Sequence, residues 1–367
     1  MKILVYFNSM KPAGGIERVI SEHIKFLISN DHEIILVTKN GEDSFYKLPL
    51  SVKHESIDID FDLDMKSKVK RIFKIAFNLL KTTRRLKKKI LTINPDIIYV
   101  ASPLSLLELY LTGGGIKNII VTEHSSFVSY NRIYKLIIKK LYPKVGLLTT
   151  PTTMDTKIYS SFGIENYYLP NPLPFYPKVI SRLKNKTALN IGRFTNDKRH
   201  DLLVRLWAKS EARNLGWKLN IIGTGENYNN IISLIRDLNA NDIIYIDKVK
   251  KDIEKEYLKS SLFILTSRNE GFGLVLAEAM ACGVPCISYN CPSGPRDIIK
   301  NGFNGFLIEE TNHDYFLNRL NELMMNEDLR NKLGRQARDD IKKFESNTIS
   351  EKLNTLLKNK FENYYET

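Results

Sequence analysis

The sequence lacks the long apolar runs of membrane-spanning proteins. No run approaches the ~20 apolar residues that a helix needs to cross a bilayer. The run that follows Lys2 extends only from Ile3 to Phe7, which is too short for the hydrophobic part of a secretion signal. We interpret it as a first β-strand. The protein is therefore expected to be cytoplasmic, and any membrane contact is expected to be peripheral.

Cysteine is scarce, with three residues in a chain of 367. Cys282, Cys286 and Cys291 crowd into one segment, and their spacing matches no common zinc-binding pattern. The sequence therefore predicts reduced thiols in or near a packed region, which suits the cytosol, and no zinc site. Asp58, Asp60, Asp62 and Asp64 resemble a D-x-D metal motif, but solvated acids at the end of a strand explain them and no metal is expected.

Acidic side chains are missing from one long stretch. Between Lys66 and Ile90 eleven cations are interleaved with apolar residues, and no aspartate or glutamate occurs. The cations are Lys66, Lys68, Lys70, Arg71, Lys74, Lys81, Arg84, Arg85, Lys87, Lys88 and Lys89. This pattern predicts a basic amphipathic helix that lies against anionic lipid headgroups. A nucleic-acid surface and a solvated helix face are alternatives; since no base-stacking aromatic motif accompanies the lysines, nucleic acid is not an expected partner.

The bulk composition describes a soluble globular protein. Hydrophobic residues make up 43% of the chain and charged residues 26%, which excludes a disordered chain. A length of 367 residues is too great for one ordinary core and indicates two domains. The formal net charge of +14 favours anionic partners such as phosphorylated substrates, acidic lipid or nucleic acid.

Apolar β-type runs alternate with helical stretches along the first half of the chain. The predicted strands are Ile3–Phe7, Glu33–Thr38, Val52–Ile59, Asp96–Val100, Asn118–Thr122 and Gly146–Thr150. Three prolines between Leu169 and Pro174 stiffen an extended connector, where we place a domain boundary. A second alternation starts at Thr187, so the sequence predicts parallel α/β domains over 1–170 and 171–346.

The segment from Ser261 to Ile308 predicts a strand, a glycine loop, a helix and a second strand. Leu262 to Thr266 has the composition of a buried strand, and the helix from Leu274 ends at Gly283. The N-terminus of such a helix offers free N–H groups and a partial positive charge, which suit a phosphate. Gly14 and Gly15, which precede another predicted helix, offer the same amides, although an ordinary glycine turn is an equal alternative.

Two carboxylates and two cations flank these predicted strand ends. Glu270 and Glu278 can accept hydrogen bonds from sugar and ribose hydroxyls, or they can be a loop residue and a solvated helix residue. Arg193 and Lys198 follow a predicted strand and can neutralise a diphosphate, or they can be ordinary surface charges. The residue types alone leave both interpretations open.

The run from Glu270 to Glu278 with the following Ala279 to Pro285 (EGFGLVLAEAMACGVP) resembles the E-x7-E motif of retaining GT-B glycosyltransferases of family 4. The resemblance implies two Rossmann-like parallel-sheet domains that face each other across a cleft. Residues 1–170 would bind the acceptor and residues 171–346 the nucleotide sugar. Residues 347–367 would form a helix that crosses back to the first domain.

The resemblance also implies roles for individual residues. Glu270, Arg193, Lys198 and His124 would act on the transferred sugar and the diphosphate, with His124 in a loop after a strand and not assigned as a base. The implied donor-binding residues are Gly14, Gly15, Gly223, Gly225, Val249, Phe272, Gly273, Leu274 and Glu278. No cofactor is implied. Arg199 stands where several relatives carry glycine.

The implied activity is transfer of a hexose or N-acetylhexosamine, with retention of configuration and without a metal ion. The expected donor is a nucleotide sugar, most simply a UDP-sugar. The expected acceptor is a lipid-linked oligosaccharide, lipopolysaccharide or capsule glycan at the inner face of the plasma membrane. The alternatives are a GT-B nucleotide-sugar epimerase and a non-enzymatic basic protein that binds membrane or nucleic acid.

Overall fold

The computed structural model describes residues 1–59 and 68–361, and for residues 68–76 it describes the backbone alone. Asp60, Asp62, Asp64 and Lys66 lie outside the described residues. The chain divides into two compact units, which we call the N-terminal unit (Met1–Pro170 with Ile349–Thr367) and the C-terminal unit (Asn171–Thr348). The division lies within the proline-rich connector.

The N-terminal unit contains a seven-stranded parallel sheet with the strand order β3-β2-β1-β4-β5-β6-β7. Its elements are β1 (Lys2–Phe7), α1 (Gly15–Ser29), β2 (Glu33–Thr38), β3 (Lys53–Ser56), α2 (Lys68–Ile93), β4 (Ile97–Val100), α3 (Pro103–Leu111), β5 (Ile119–Thr122), α4 (Arg132–Leu141), β6 (Leu147–Thr150), α5 (Thr153–Ser161) and β7 (Tyr167–Tyr168). The inner strands are almost wholly apolar because helices cover both faces of a parallel sheet.

Helices α2 to α5 pack against one face of this sheet. Their buried side chains Leu86, Leu106, Ile138 and Tyr159 share a core with strand residues such as Leu4. The parallel arrangement brings the loops after β1, β2, β4, β5 and β6 to one edge of the sheet, the carboxyl edge, where α/β sheets hold ligands.

The C-terminal unit contains a six-stranded parallel sheet with the order β10-β9-β8-β11-β12-β13. Its elements are β8 (Thr187–Ile191), α6 (His200–Lys209), α7 (Ala212–Leu215), β9 (Lys218–Ile222), α8 (Tyr228–Asp237), β10 (Ile244–Asp247), α9 (Glu254–Leu258), β11 (Leu262–Leu265), α10 (Leu274–Ala281), β12 (Cys286–Tyr289), α11 (Pro295–Ile298), β13 (Gly305–Ile308), α12 (His313–Met325) and α13 (Glu327–Ile341). Trp207 and Trp217 are buried in its core.

The last described helix, α14 (Ser346–Phe361), packs on the N-terminal unit. The ring of Phe361 lies against Gly146, where a Cβ would come within 2.9 Å of the ring. Lys360 forms an ion pair of 2.7 Å with Glu165. Apolar and ionic contacts together hold the helix on a sheet formed by the first 170 residues.

The two parallel sheets confirm the α/β architecture predicted from the sequence. One element differs in detail. The strand predicted over 52–59 is limited to Lys53–Ser56. Within the described ranges, no helix is long and apolar enough to span a bilayer.

Candidate active site

Two glycines allow the loops after β8 and β9 to pack directly on each other. A Cβ at Gly223 would lie 2.0 Å from the carbonyl oxygen of Gly192, and a Cβ at Gly225 would lie 2.6 Å from that of Phe194. The Phe194 N–H donates to the carbonyl oxygen of Thr224 at 2.9 Å. Only residues without side chains permit such an approach, so these glycines fix the loop that carries Arg193 and Lys198.

Lys198 and Glu270 form an ion pair at the carboxyl edge of the second sheet. Lys198 Nζ lies 2.6 Å from Glu270 Oε1 although 72 residues separate the two in sequence. The side chain of Glu270 is 8% exposed and that of Lys198 22%. A carboxylate this deeply buried requires a partner, and Lys198 supplies one.

The loops that carry the pair are tied together by their backbones. The Arg268 N–H donates to the carbonyl oxygen of Asp197 at 2.7 Å. The single hydroxyl proton of Thr266 is shared between the carbonyl oxygens of Lys198 and Arg199, which lie 3.2 and 3.1 Å from Oγ1. The ion pair is therefore held by the adjacent strands β8 and β11 rather than by flexible side chains alone.

The other two cations of this loop do not join the pair. Arg193 is exposed and forms no ion pair with any residue in the described part of the chain. Arg199 adopts the left-handed backbone conformation, with φ of 51°, and pairs with Glu310 at 2.6 Å. Its guanidinium lies 5.7 Å from the centre of the Tyr289 ring. Glycine adopts this left-handed backbone without strain, whereas an arginine does so at a cost.

Helix α10 begins directly after Glu270 and its glycine loop. Gly273 at the N-cap has φ of 89°, and no side chain caps the helix. Gly273 thus gives the chain a sharp entry into the helix that a larger residue would strain. Phe272 is buried with its ring 5.2 Å from that of Phe344, and Leu274 is also buried. The two apolar residues anchor the helix start rather than face solvent.

Glu278 lies inside α10 and is 3% exposed. Its Oε2 accepts a hydrogen bond of 2.7 Å from the hydroxyl of Tyr257, a fully buried residue of α9. Tyr257 packs against the rings of Phe175 and Phe263. Sequence reasoning missed Tyr257, because no local pattern links a five-residue helix to a glutamate 21 positions later. Val249, after β10, is 40% exposed.

In the N-terminal unit, Gly14 and Gly15 stand at the start of α1. Gly14 is the N-cap and provides no side-chain cap. The carboxylate of Glu17 reaches back over it, so that a Cβ at Gly14 would lie 2.1 Å from Glu17 Oε2. An acid in the first turn of a helix is favourable because it faces the positive end of the helix dipole.

His124 lies in the loop after β5 and is 8% exposed. Its Nε2 is 3.0 Å from the hydroxyl of Thr122. The neighbouring Glu123 is buried and accepts hydrogen bonds from the hydroxyls of Tyr130, at 2.8 Å, and Tyr142. Burial is the main cause that raises the pKa of Glu123 to about 7. Glu123 is therefore the centre of a buried tyrosine cluster.

Across the described residues, no group of three or more histidine, cysteine, aspartate or glutamate side chains could hold a metal ion. Cys282, Cys286 and Cys291 are buried free thiols. Burial raises the pKa of each above its ordinary value, so all three stay protonated at neutral pH.

Two family models together span residues 13 to 340. The model of glycosyltransferase family 4 matches residues 13–174, and that of glycosyl transferases group 1 matches residues 176–340. A TarM variant from S. aureus, solved with fondaparinux, alpha-GlcNAc-glycerol and UDP, superposes with a TM-score of 0.80 at 17% identity, over 97% of this chain and 99% of that chain.

The chain belongs to the GT-B glycosyltransferases.

Similar curated proteins span its whole length. The amylovoran biosynthesis glycosyltransferase AmsD of Erwinia amylovora is 25% identical, over 97% of this chain and 99% of the relative. A Campylobacter jejuni enzyme named N-acetylgalactosamine-N,N'-diacetylbacillosaminyl-diphospho-undecaprenol 4-alpha-N-acetylgalactosaminyltransferase is 23% identical, over 92% and 94%. Both names describe glycosyl transfer, in agreement with the family.

In this glycosyltransferase nine of the predicted site residues fall into three groups. Lys198 and Glu270 contact each other, and Gly223 and Gly225 support their loop. Glu278 is buried inside α10 and accepts a hydrogen bond from Tyr257. Arg193 is exposed and lies outside the Lys198–Glu270 ion pair. The third group, Gly14, Gly15 and His124, belongs to the other unit.

Proposed function

We propose that this glycosyltransferase moves a hexose or N-acetylhexosamine from a UDP-sugar to a lipid-linked oligosaccharide, lipopolysaccharide or capsule glycan, with retention of configuration. The names of two relatives support the acceptor class, since one serves amylovoran biosynthesis and the other is named for a diphospho-undecaprenol substrate. UDP in the TarM complex supports the nucleotide. We place the reaction in the cytoplasm, at the inner face of the plasma membrane.

The Lys198–Glu270 pair carries the proposal for the C-terminal unit. In the reaction the bond from the sugar C1 to the diphosphate oxygen breaks, and C1 bonds to the acceptor hydroxyl, whose proton leaves with the diphosphate. Lys198, Arg193 and the uncapped start of α10 supply positive charge for the departing diphosphate. Glu270, held by Lys198, accepts hydrogen bonds from sugar hydroxyls, and Glu278 binds the ribose.

We assign the neutralisation of the diphosphate to these cations and not to a metal ion. A lysine and an arginine on one strand-end loop can offset the negative charge of the diphosphate, which gains one further charge when its bond to C1 breaks. The proposal predicts that transfer continues at an unchanged rate after dialysis against a chelator. Loss of activity on chelation, with recovery on addition of Mg²⁺ or Mn²⁺, would replace it with a metal-assisted reaction.

The described part of α2 supports membrane docking of the N-terminal unit. From residue 77 onwards one side of the helix combines exposed apolar and basic side chains. They are Phe77, Leu80, Arg84, Lys87, Lys88 and Leu91. Apolar residues exposed at up to 72% among cations suit an interface between headgroups and acyl chains. Arg85 and Lys89 bond back to the unit instead. Arg85, although exposed, donates to the carbonyl oxygens of Ile57 and Asp58, and Lys89 forms an ion pair with the carboxylate of Glu55.

Helix α4 adds a second exposed surface that sequence reasoning missed. Ile133 and Leu136 are 68% and 58% exposed. The residues from 124 to 154 include five lysines and arginines and no acid. Helix α3 packs against both α2 and α4, which places the three helices side by side on one face of the sheet. The absence of acidic residues from 124 to 154 could have indicated this surface, but α4 is too short for its amphipathic pattern to be evident in the sequence.

The decisive experiment is a screen of UDP- and GDP-sugars for thermal stabilisation of the protein, followed by transfer to a polyprenyl-diphosphate-linked glycan. We expect one UDP-sugar to stabilise the protein and the product to keep the anomeric configuration of the donor, as measured by NMR coupling constants. Inversion in the product, or the absence of stabilisation by any activated sugar, would overturn the proposal.

A nucleotide-sugar epimerase is the second candidate from the same fold. Donor alone would then be converted to its epimer, and no acceptor would be consumed. An exposed basic and apolar surface on α2 favours transfer, since an epimerase of soluble nucleotides has no use for a membrane. A non-enzymatic nucleic-acid-binding protein would instead show DNA affinity that falls steeply with salt.

A further inference from the structure

A buried chain of hydrogen bonds leads from helix α1 to His124. His23 Nδ1 lies 2.8 Å from the hydroxyl of Tyr99 on β4. The hydroxyl of Thr122, at the end of β5, lies 2.7 Å from that of Tyr99 and 3.0 Å from His124 Nε2. All four side chains are at most 8% exposed. The series therefore links α1, β4 and the end of β5 to the imidazole of His124.

Each hydroxyl has one proton to donate, and this fixes the direction of donation along the series of hydrogen bonds. Thr122 donates its single hydroxyl proton to Tyr99, so Thr122 can only accept from His124, and His124 must carry a proton on Nε2. Tyr99 in turn has its own proton left to donate to His23 Nδ1. The order of donation is His124 to Thr122 to Tyr99 to His23.

The protonation states of His23 and Tyr99 suit this direction of donation. Burial, together with the nearby His124, lowers the pKa of His23 to about 3, so His23 stays neutral and can accept through Nδ1. Burial also raises the pKa of Tyr99 above its ordinary value, which keeps the phenol protonated. His23 Nε2 meets no hydrogen-bonding atom among the described residues, so Tyr99 provides the only side-chain hydrogen bond that orients its ring.

We propose that His23, Tyr99 and Thr122 are positioning residues that hold the His124 imidazole in one tautomer, with its proton on Nε2. The inference rests on the proposed function, in which His124 acts on the transferred sugar. A ring that is fixed in rotation and protonation presents the same chemistry in every turnover, whereas a ring free to flip presents it in a fraction of them.

The tautomer can be measured without any activity. In the full chain labelled with ¹⁵N-histidine, the signals of His124 are identified by their absence in His124→Gln. We expect Nε2 of His124 to show the ¹⁵N shift of a protonated nitrogen and Nδ1 that of an unprotonated one. In Tyr99→Phe the Thr122 hydroxyl loses its acceptor and can donate to Nε2, so the tautomer should change to Nδ1–H or to a mixture.

Kinetics test whether the effect passes through His124. Loss of one buried hydrogen bond in the chain should lower kcat about fivefold to tenfold, with the KM for the donor little changed. The same substitution made in a His124→Ala background should have no further effect, because the group it positions is gone. Tyr6→Phe is the matched control. Tyr6 is a buried tyrosine of β1 whose hydroxyl donates to Glu108 at 2.8 Å, and neither residue belongs to the series of hydrogen bonds that ends at His124.

The possible failures are distinguishable. An unchanged His124 tautomer in Tyr99→Phe, or additive losses in the double variant, overturns the positioning role while leaving the glycosyltransferase proposal intact. Equal losses in Tyr6→Phe and Tyr99→Phe mean a general packing effect and also overturn it. Thr122→Val, which preserves side-chain shape, must reproduce the kinetic loss of Tyr99→Phe for the role to stand.

Discussion

The two units differ in how deeply they bury polar side chains near the carboxyl edges of their sheets. In the C-terminal unit Lys198 and Glu270 meet at the carboxyl edge of the sheet and keep some contact with solvent. In the N-terminal unit several polar residues near the corresponding edge are buried, among them Glu123, His124 and the Lys39–Glu108 ion pair, whose side chains are 4% and 2% exposed. Exposed basic and apolar side chains lie together on its outer helices α2 and α4.

This contrast fits a division of labour between the units. Nucleotide sugars share a charged diphosphate, so the unit proposed to bind them presents a cation and an acid that can exchange partners with the ligand. Glycan acceptors are neutral or lipid-anchored, and the unit proposed to bind them uses a rigid interior and a basic, apolar exterior. The substitutions below test each half of this comparison.

The largest expected effect is that of Glu270→Ala. Removal of the carboxylate should lower kcat about a thousandfold, because a preorganised group at the reacting sugar contributes that much in comparable sites. The fold should survive, since Lys198 is partly exposed and can turn to water. Steady-state transfer assays and circular dichroism measure the two outcomes.

Glu309→Ala is the matched control for that variant. Glu309 follows β13 at the same edge of the sheet, is exposed, and accepts a hydrogen bond from Asn290 at 2.7 Å. Its replacement should leave turnover nearly unchanged. Near-normal turnover in Glu270→Ala would show that Glu270 is not part of the active site. The catalytic role proposed for the C-terminal unit would then lose its main support.

The sealed interior of the N-terminal unit predicts an unusual dependence of stability on pH. The pKa of Glu123 is raised from 4.5 to about 7, so the folded state holds a proton that the unfolded state releases. The stabilisation is complete below pH 4.5 and is lost as pH rises through about 7, a change of roughly 3 kcal/mol. Glu123→Gln should remove most of this dependence between about pH 5 and about pH 8.

The measurement needs a probe in the correct unit. Trp207 and Trp217 both lie in the C-terminal unit, so their fluorescence does not report on Glu123. Hydrogen exchange of the β5 amides does. Glu165→Gln is the control, because Lys360 lowers the pKa of that exposed carboxyl and it stays ionised over the same range. Parallel pH profiles of wild type and Glu123→Gln would contradict the prediction.

The basic exterior is tested by a triple replacement on α2. Arg84, Lys87 and Lys88 are exposed, and their change to serine should weaken binding to vesicles rich in phosphatidylserine about a hundredfold, at ~1 kcal/mol per cation. Short soluble acceptors should still react. Arg85 is kept because it anchors the loop at Ile57.

A second triple variant, which loses the same number of positive charges elsewhere, distinguishes docking through α2 from attraction by the net charge of the protein. Lys209, Lys251 and Lys332 are exposed lysines of the C-terminal unit, and their change to serine should alter vesicle binding far less. Equal weakening in both triple variants would show that overall charge, and not the α2 surface, attracts the membrane. Unchanged binding in the α2 variant would remove the docking role.

The sequence predicts strands and loops better than it predicts contacts. Apolar runs such as Leu262 to Thr266 locate the buried strands because a parallel strand covered on both faces has almost no polar residues. The Tyr257–Glu278 hydrogen bond depends on how two helices pack, which no local pattern contains. The polar chain through Tyr99 was equally invisible, since its members look like ordinary core residues.

Substitutions of Arg199, in the loop after β8, are expected to have the smallest effect, and that effect is on the free energy of unfolding. Its φ of 51° costs a non-glycine residue about 1 kcal/mol. Arg199→Ala loses the ion pair with Glu310 and keeps the strain, whereas Arg199→Gly loses the same ion pair and relieves it. The glycine variant should therefore be about 1 kcal/mol more stable than the alanine variant.

Urea unfolding followed by tryptophan fluorescence suits this comparison, because Trp207 lies on α6, the helix that Arg199 caps. A glycine variant less stable than the alanine variant would mean that the loop relaxes out of the left-handed conformation when the arginine is removed. Donor affinity should be equal in the two variants, since neither changes Lys198 or Glu270. A loss of affinity common to both would add Arg199 to the diphosphate-binding cations, a role that its ion pair with Glu310 argues against.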